Sequence, residues 1–242
     1  MPRYKIHVEY DGTDYYGWQR QPEGPTVEGT IEEALSQILG YPVDIKGQGR
    51  TDSGVHAEEQ VAHFDYPDEL DADRLIYALL GVLPRNISVY RLEQVRDDFH
   101  ARFDARSRRY RYQIVTRSSP LNLRYAQMVL NPLDLQAMQI CASSVRGVHD
   151  FESFIKSDPE QGNTSCDILL SEFEQRGHML VYHIEANRFL RHLVRRLVGT
   201  ILQVGKGKKT VDEFIYLLDH PSADQNGHGT PSKGLILEKV RY

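Results

Sequence analysis

Gly49-Arg50-Thr51-Asp52-Ser53-Gly54-Val55-His56-Ala57 sets one carboxylate between two glycines. An acid so placed sits on a tight loop that a ligand can approach closely. Arg50 beside it favours the ionised form of the acid. Taken alone, Thr-Asp-Ser-Gly also suits a plain turn in which Asp52 caps Ser53 or Gly54. Outward from the loop, residues 43–46 read as a short strand before it, and residues 60–66 alternate as a strand after it. Further upstream, Thr26 caps a helix carrying Val27, Ile31, Ala34, Leu35 and Ile38, ended by Gly40 and Pro42. Residues 4–10 alternate as the first strand. Downstream, Asp71 or Asp73 opens a helix with Leu75, Ile76, Leu79 and Leu80, stopped by Gly81 and Pro84, and residues 87–95 are strand again. The order is β-α-β-β-α-β.

The second half repeats that order. Residues 108–116 read as strand, and Asp134 caps a helix with Ala137, Met138, Cys141 and Val145. Strands at 166–174 and 179–186 flank the Gln175-Arg176-Gly177 turn. A helix is expected over 188–204, stopped by Gly205, then an extra helix over 210–218 and a strand over 234–240. The expectation is an α+β protein of two tandem split βαβ, ferredoxin-like units. They would join through a mixed, mostly antiparallel sheet with helices on one side and a central cleft that is a natural ligand site, the RNA-binding cleft if the ligand is the polyanion that the charge pattern below points to. The expected boundaries are 1–104 for the part carrying the Asp52 loop and 105–242 for the rest.

The chain of 242 residues is 40% hydrophobic and 26% charged, the balance of a soluble globular protein. No apolar run approaches the roughly 20 residues that span a bilayer. The first residues lead straight into strand, so no signal peptide is read there. Cys141 and Cys166 form neither a CxxC pair nor a disulfide framework, which points to the cytoplasm. The net charge is −5, yet residues 100–111 hold five arginines and one acid, and residues 187–209 hold four arginines, three lysines and no acid. Two basic islands on an acidic body mark a confined polyanion site.

Asp52 has no partner acid, so it lacks the signature of metal or glycosidase chemistry and suits a nucleophile. The histidines show no zinc-ligand spacing. Gly205-Lys206-Gly207-Lys208-Lys209 lacks the spacing of a nucleotide-phosphate loop. On a helix, Arg188, Arg191 and Arg195 would fall within roughly 60° of one another, opposite an apolar stripe. On a strand, Tyr110 and Tyr112 share one face and Arg109 and Arg111 the other. Trp18, in Tyr10-Asp11-Gly12-Thr13-Asp14-Tyr15-Tyr16-Gly17-Trp18-Gln19-Arg20-Gln21, suits either an RNA contact or a packed aromatic.

The nine-residue run closely resembles the signature loop of the tRNA pseudouridine synthase A family. Four more segments, in order, resemble that family's motifs: residues 10–21, 99–112, 187–196 and 230–237. The resemblance implies isomerisation of uridine at about positions 38–40 of the tRNA anticodon stem-loop, recognised by phosphates and shape. It implies Asp52 as the catalytic acid, Tyr110 stacked on the target base and active in proton transfer, and Arg195 in contact with the acid. It places Leu235 in the uracil pocket. Arg50, Arg188, Phe189 and Arg191 are then expected at the substrate, and Lys206, Lys208, Lys209, Arg109 and Arg111 along the RNA. No cofactor or metal is expected, and the enzyme is expected to be a cytoplasmic homodimer acting on tRNA. A non-catalytic tRNA-binding or chaperone protein would also use the basic islands, but it leaves Asp52 without a role.

Overall fold

The computed structural model describes residues 1–155, 162–224 and 227–242. It is an α+β protein whose strands are mostly antiparallel. The chain divides into two compact units, one of Met1–Arg106 with Ile236–Tyr242 and one of Ser107–Leu235.

The first unit runs β1 (Arg3–Tyr10), α1 (Val27–Leu39), β2 (Lys46–Gly47), β3 (His56–Asp65), α2 (Ala72–Val82) and β4 (Ile87–Val95). β1 lies between β4 and β3, antiparallel to both, and β2 pairs with the far side of β3. That order, β4-β1-β3-β2, is the one a split βαβ unit requires. The strand expected over 43–46 is cut to two residues, Lys46 and Gly47, opposite His63 and Ala62. β3 starts earlier than its alternation predicts, at His56, directly after the glycine loop. Thr26 caps α1 through the Gly29 N–H, and Gly40 closes it. Asp71, not Asp73, caps α2, which continues through Gly81 to Val82 and stops as the chain turns extended ahead of Pro84. α1 packs against α2. Ile6, Val8, Val27, Ile31, Leu35, Val61, Phe64 and Leu79 are buried in this core, each contributing about 1.5–3 kcal/mol of transfer free energy.

The second unit runs β5 (Ser107–Val115), β6 (Gln127–Met128), α3 (Leu135–Ser144), β7 (Gly147–Asp150), β8 (Ser165–Arg176), β9 (Met179–Ala186), α4 (Leu193–Gly205) and α5 (Val211–Asp219). Its sheet order is β5-β9-β8-β7, all antiparallel, with β6 parallel to β5. β5-β9-β8 repeats the last three positions, β1-β3-β2, of the split unit, and β7 is an addition at the edge. α3 packs on α4, α5 and β8. A capping box of Thr210 and Glu213 starts α5.

Two expectations are corrected here. The last strand, β10 (Leu235–Arg241), does not stay wholly with the second half: Ile236 and Leu237 run parallel to His56 and Ala57 of β3. The free flank at the start of β3 is where its backbone groups find partners. The second correction is α4, which begins at Leu193 rather than Arg188. His192 holds a left-handed backbone with φ of 64°, which no helix interior accommodates.

Candidate active site

Asp52 stands on a four-residue turn closed by the Val55 N–H donating to the Asp52 carbonyl at 3.1 Å. Gly54, third in the turn, has φ of +75°, which a side chain would resist. The turn is tied down on both sides of Asp52. The Thr51 hydroxyl lies 2.8 Å from the Tyr10 hydroxyl, and the Trp18 N–H donates to the Thr51 carbonyl at 3.2 Å. Ser53 Oγ donates to the Tyr15 carbonyl at 3.1 Å, and the Gly54 N–H donates to the same oxygen at 3.4 Å. Upstream, buried Gln60 donates from Nε2 to the Gly49 carbonyl at 3.2 Å. Downstream, buried His56 accepts the Gly12 N–H on Nδ1 at 3.1 Å, with Asp11 Oδ1 3.0 Å from the same nitrogen. Asp52 itself is half-buried and Arg50 is exposed. One acid is thus held on a loop whose backbone has little freedom.

The segment 10–18 therefore scaffolds the turn. Trp18 is 1% exposed, donates from Nε1 to Glu28 Oε1 at 3.2 Å, and lies tilted against Tyr10. Of the two readings open for Trp18, the structure shows the packed one. Gly17 makes that packing possible: its φ is +92°, and a Cβ there would stand 2.6 Å from the Thr51 carbonyl. The signal for this role was in the sequence as Gly17-Trp18, but its partner lies more than thirty residues away.

In the second unit, Tyr110 on β5 is 8% exposed and meets Phe189 edge to face, with ring centroids 5.2 Å apart. Arg109 and Arg111 lie on the opposite face of β5, half-buried, in register with Glu185 and His183. Residues 187–192 link β9 to α4 without helix, so Arg188, Arg191 and Arg195 do not share a helical face. Arg188 and Arg191 are exposed on this link, and Arg195 is half-buried in the first turn of α4. Arg195 Nε donates to the Thr230 carbonyl at 2.8 Å, and Thr230 returns two bonds, from Oγ1 and N, to the Arg195 carbonyl. Thr230 is a residue the sequence reading did not single out for this. Burial pushes the neighbouring Tyr112 hydroxyl up to about 12, against the opposing effects of Thr230 and the Arg195 charge. Its hydroxyl donates to the Pro231 carbonyl at 2.9 Å. Lys206, Lys208 and Lys209 follow α4, where the Gln203 carbonyl accepts the N–H groups of Lys208 and Lys209. Lys208 is exposed, while Lys206 and Lys209 are half-buried. Leu235, 6% exposed, opens β10.

Among the described residues, no group of three or more His, Cys, Asp or Glu side chains is placed to hold a metal ion. No helix among them is long and apolar enough to cross a membrane.

The first unit thus holds an acid on a rigid turn, and the second, taken by itself, carries Arg188 and Arg191 exposed on the link that follows β9. Residues 6–104 and 141–242 match the family model described as tRNA pseudouridine synthase. The chain is 42% identical to the tRNA pseudouridine synthase A of Bacteroides fragilis, covering all of this chain and 97% of that protein. It is 42% identical to the protein of the same name from Chlorobaculum tepidum, over 98% of this chain and 97% of that one. Among solved structures, a Cbf5-Nop10-Gar1 complex gives a TM-score of 0.38 at 13% identity, over 82% of this chain and 45% of that one, too slight a likeness to argue from. The chain belongs to the tRNA pseudouridine synthase family. Members of that family are isomerases that convert uridine in tRNA.

Proposed function

We propose that this enzyme isomerises uridine to pseudouridine at about positions 38–40 of the anticodon stem-loop, with Asp52 as the nucleophile. The reaction breaks the bond between N1 of uracil and C1′ of ribose, turns the base, and joins C5 to C1′; the proton leaves C5 and N1 takes one up, so atoms and charge balance. No atom is added and no electron is exchanged, so no cofactor is called for. Asp52 must be ionised to attack, and the half-buried turn holds it in a fixed position. Tyr110 and Arg195 act with it, the first by stacking on the base and moving a proton, the second by supporting the carboxylate charge. Leu235 lines the uracil pocket. Arg50, Arg188, Phe189 and Arg191 hold the target nucleotide, and Lys206, Lys208, Lys209, Arg109 and Arg111 meet phosphates. The enzyme works in the cytoplasm as a homodimer on one tRNA.

The observation that carries this reading is the family match across the Asp52 turn, joined to the number of hydrogen bonds that immobilise that turn. Incubation with unmodified tRNA followed by mapping of pseudouridine tests it. Asp52→Asn keeps the shape but removes the nucleophile, so isomerisation should vanish while tRNA binding survives. Near wild-type turnover in a deamidation-free Asn protein would refute the role. Binding without any isomerisation by the unaltered enzyme would return the chain to a non-catalytic tRNA-binding protein.

A further inference from the structure

Glu28 lies in the first turn of α1, where a helix favours an acid. Its two carboxylate oxygens have different duties. Oε1 accepts the Trp18 indole N–H at 3.2 Å, and Oε2 accepts the Arg20 backbone N–H at 2.8 Å. The backbone grips the same segment: the Glu28 N–H donates to the Trp18 carbonyl at 2.9 Å and the Val27 N–H to the Gly17 carbonyl at 3.2 Å. Trp18 then passes the hold on, since its own N–H donates to the carbonyl of Thr51, the residue before Asp52. One turn along α1, buried Glu32 anchors the next loop by accepting the Ile45 N–H at 3.0 Å. The path from Glu28 to Asp52 is therefore one side-chain bond, one residue and one backbone bond.

Packing alone does not need this carboxylate. Val27, Ile31 and Leu35 already bury the apolar face of α1. What Glu28 adds is an ionised acceptor for two donors, one of them an indole N–H that is costly to bury unpaired. We infer that Glu28 is a positioning residue: acting through Trp18, it fixes the Thr51–Asp52 backbone and so the aim of the Asp52 carboxylate. The inference rests on Asp52 being the reacting group. Small displacements matter at such a site, because an error of about 1 Å in a reacting atom can cost a hundredfold in rate.

Trp18 is the only tryptophan of the chain, so emission excited beyond the tyrosine absorption band reports on this strut alone. The test compares wild type, Glu28→Ala and Glu28→Gln in single-turnover pseudouridine formation, tRNA binding, thermal unfolding and emission wavelength. Glu28→Ala should slow the chemical step by about tenfold or more. Its tRNA Kd should stay within about twofold, the split expected when alignment rather than binding is lost. Its emission should move to the red. Glu28→Gln keeps one acceptor of the two and should recover part of both rate and emission; it carries the test should the alanine protein not fold. A wild-type rate in either folded variant overturns the inference. So does a rate loss matched by an equal loss of tRNA affinity. Inactivity of the wild type, or activity in Asp52→Asn, defeats the reading of Asp52 and this inference with it. Activity that depends on Asp52 but not on Glu28 defeats this inference alone.

Discussion

Gly17 and Asp52 show how a single position constrains another at a distance. The Asp52 turn was legible from nine residues because turn chemistry is local: Gly54 sits where a positive φ is required, and Val55 closes the bond. Trp18 was not legible in the same way. Its burial follows from the distant Thr51 and Glu28, and no local pattern names them. Gly17→Ala brings two penalties, a backbone with φ of +92° and a Cβ pressed on the Thr51 carbonyl. The expected loss is about 1–3 kcal/mol of stability, the usual cost of a strained non-glycine residue. The rate should fall further than stability alone accounts for, since the displaced atom is one residue from Asp52. Denaturant unfolding and single-turnover rates on the same protein check this; a stability loss with an unchanged rate would confine Gly17 to folding.

The start of α4 is the element most misjudged by pattern. Phe189, Leu190, Leu193 and Val194 keep helical spacing, and nothing between them is a strong helix breaker. The structure instead leaves β9 through an irregular link, turned at His192 and rejoined where the Leu193 N–H meets the Leu190 carbonyl. Tertiary demand overrides propensity here: Phe189 meets Tyr110, and Arg108 Nη1 donates to the Asn187 carbonyl at 2.8 Å. Strands fared better because alternation marks them directly, and Tyr110, Tyr112 and Ile114 face Ile184, Tyr182 and Leu180 as that alternation requires. His192→Val should destabilise the protein by about 1–2 kcal/mol, because a β-branched side chain resists a left-handed backbone. His192→Gly should be tolerated in the fold. Equal melting temperatures for the two variants would contradict the strain argument.

For the whole molecule, the first unit carries an acid sensitivity that composition does not reveal. Burial lowers the pKa of His7 to about 4, helped by Lys5 and Arg91 and opposed by Glu93; Glu59 also lies beside it. Burial likewise lowers His63 to about 4, helped by Arg3 and His100 and opposed by Asp65. In the unfolded chain these rings protonate near the ordinary value of about 6.5. Between that value and about 4, the unfolded state binds more protons, so stability falls as pH falls. Their effect is complete below about 4. Asp65, held low by its hydrogen bond to Arg3, adds a further loss at still lower pH, where its own carboxylate protonates. Urea midpoints should therefore drop from pH 7 to pH 5, and His63→Gln should flatten that slope; an unchanged slope would place the proton uptake elsewhere.

The return of β10 to the first unit was not legible, because nothing local in residues 234–240 names His56 as a neighbour. It also sets a timetable. A ribosome completes residues 107–235 before the strand that flanks His56 and Ala57 exists. Through that interval the nascent first unit has its β1-β3-β4 core but an open edge at the start of β3, four residues beyond Asp52. An open edge is a pairing hazard. The stretch that leads from the Asp52 turn into the sheet is therefore finished late, and completion of that stretch is coupled to translation of the entire intervening unit.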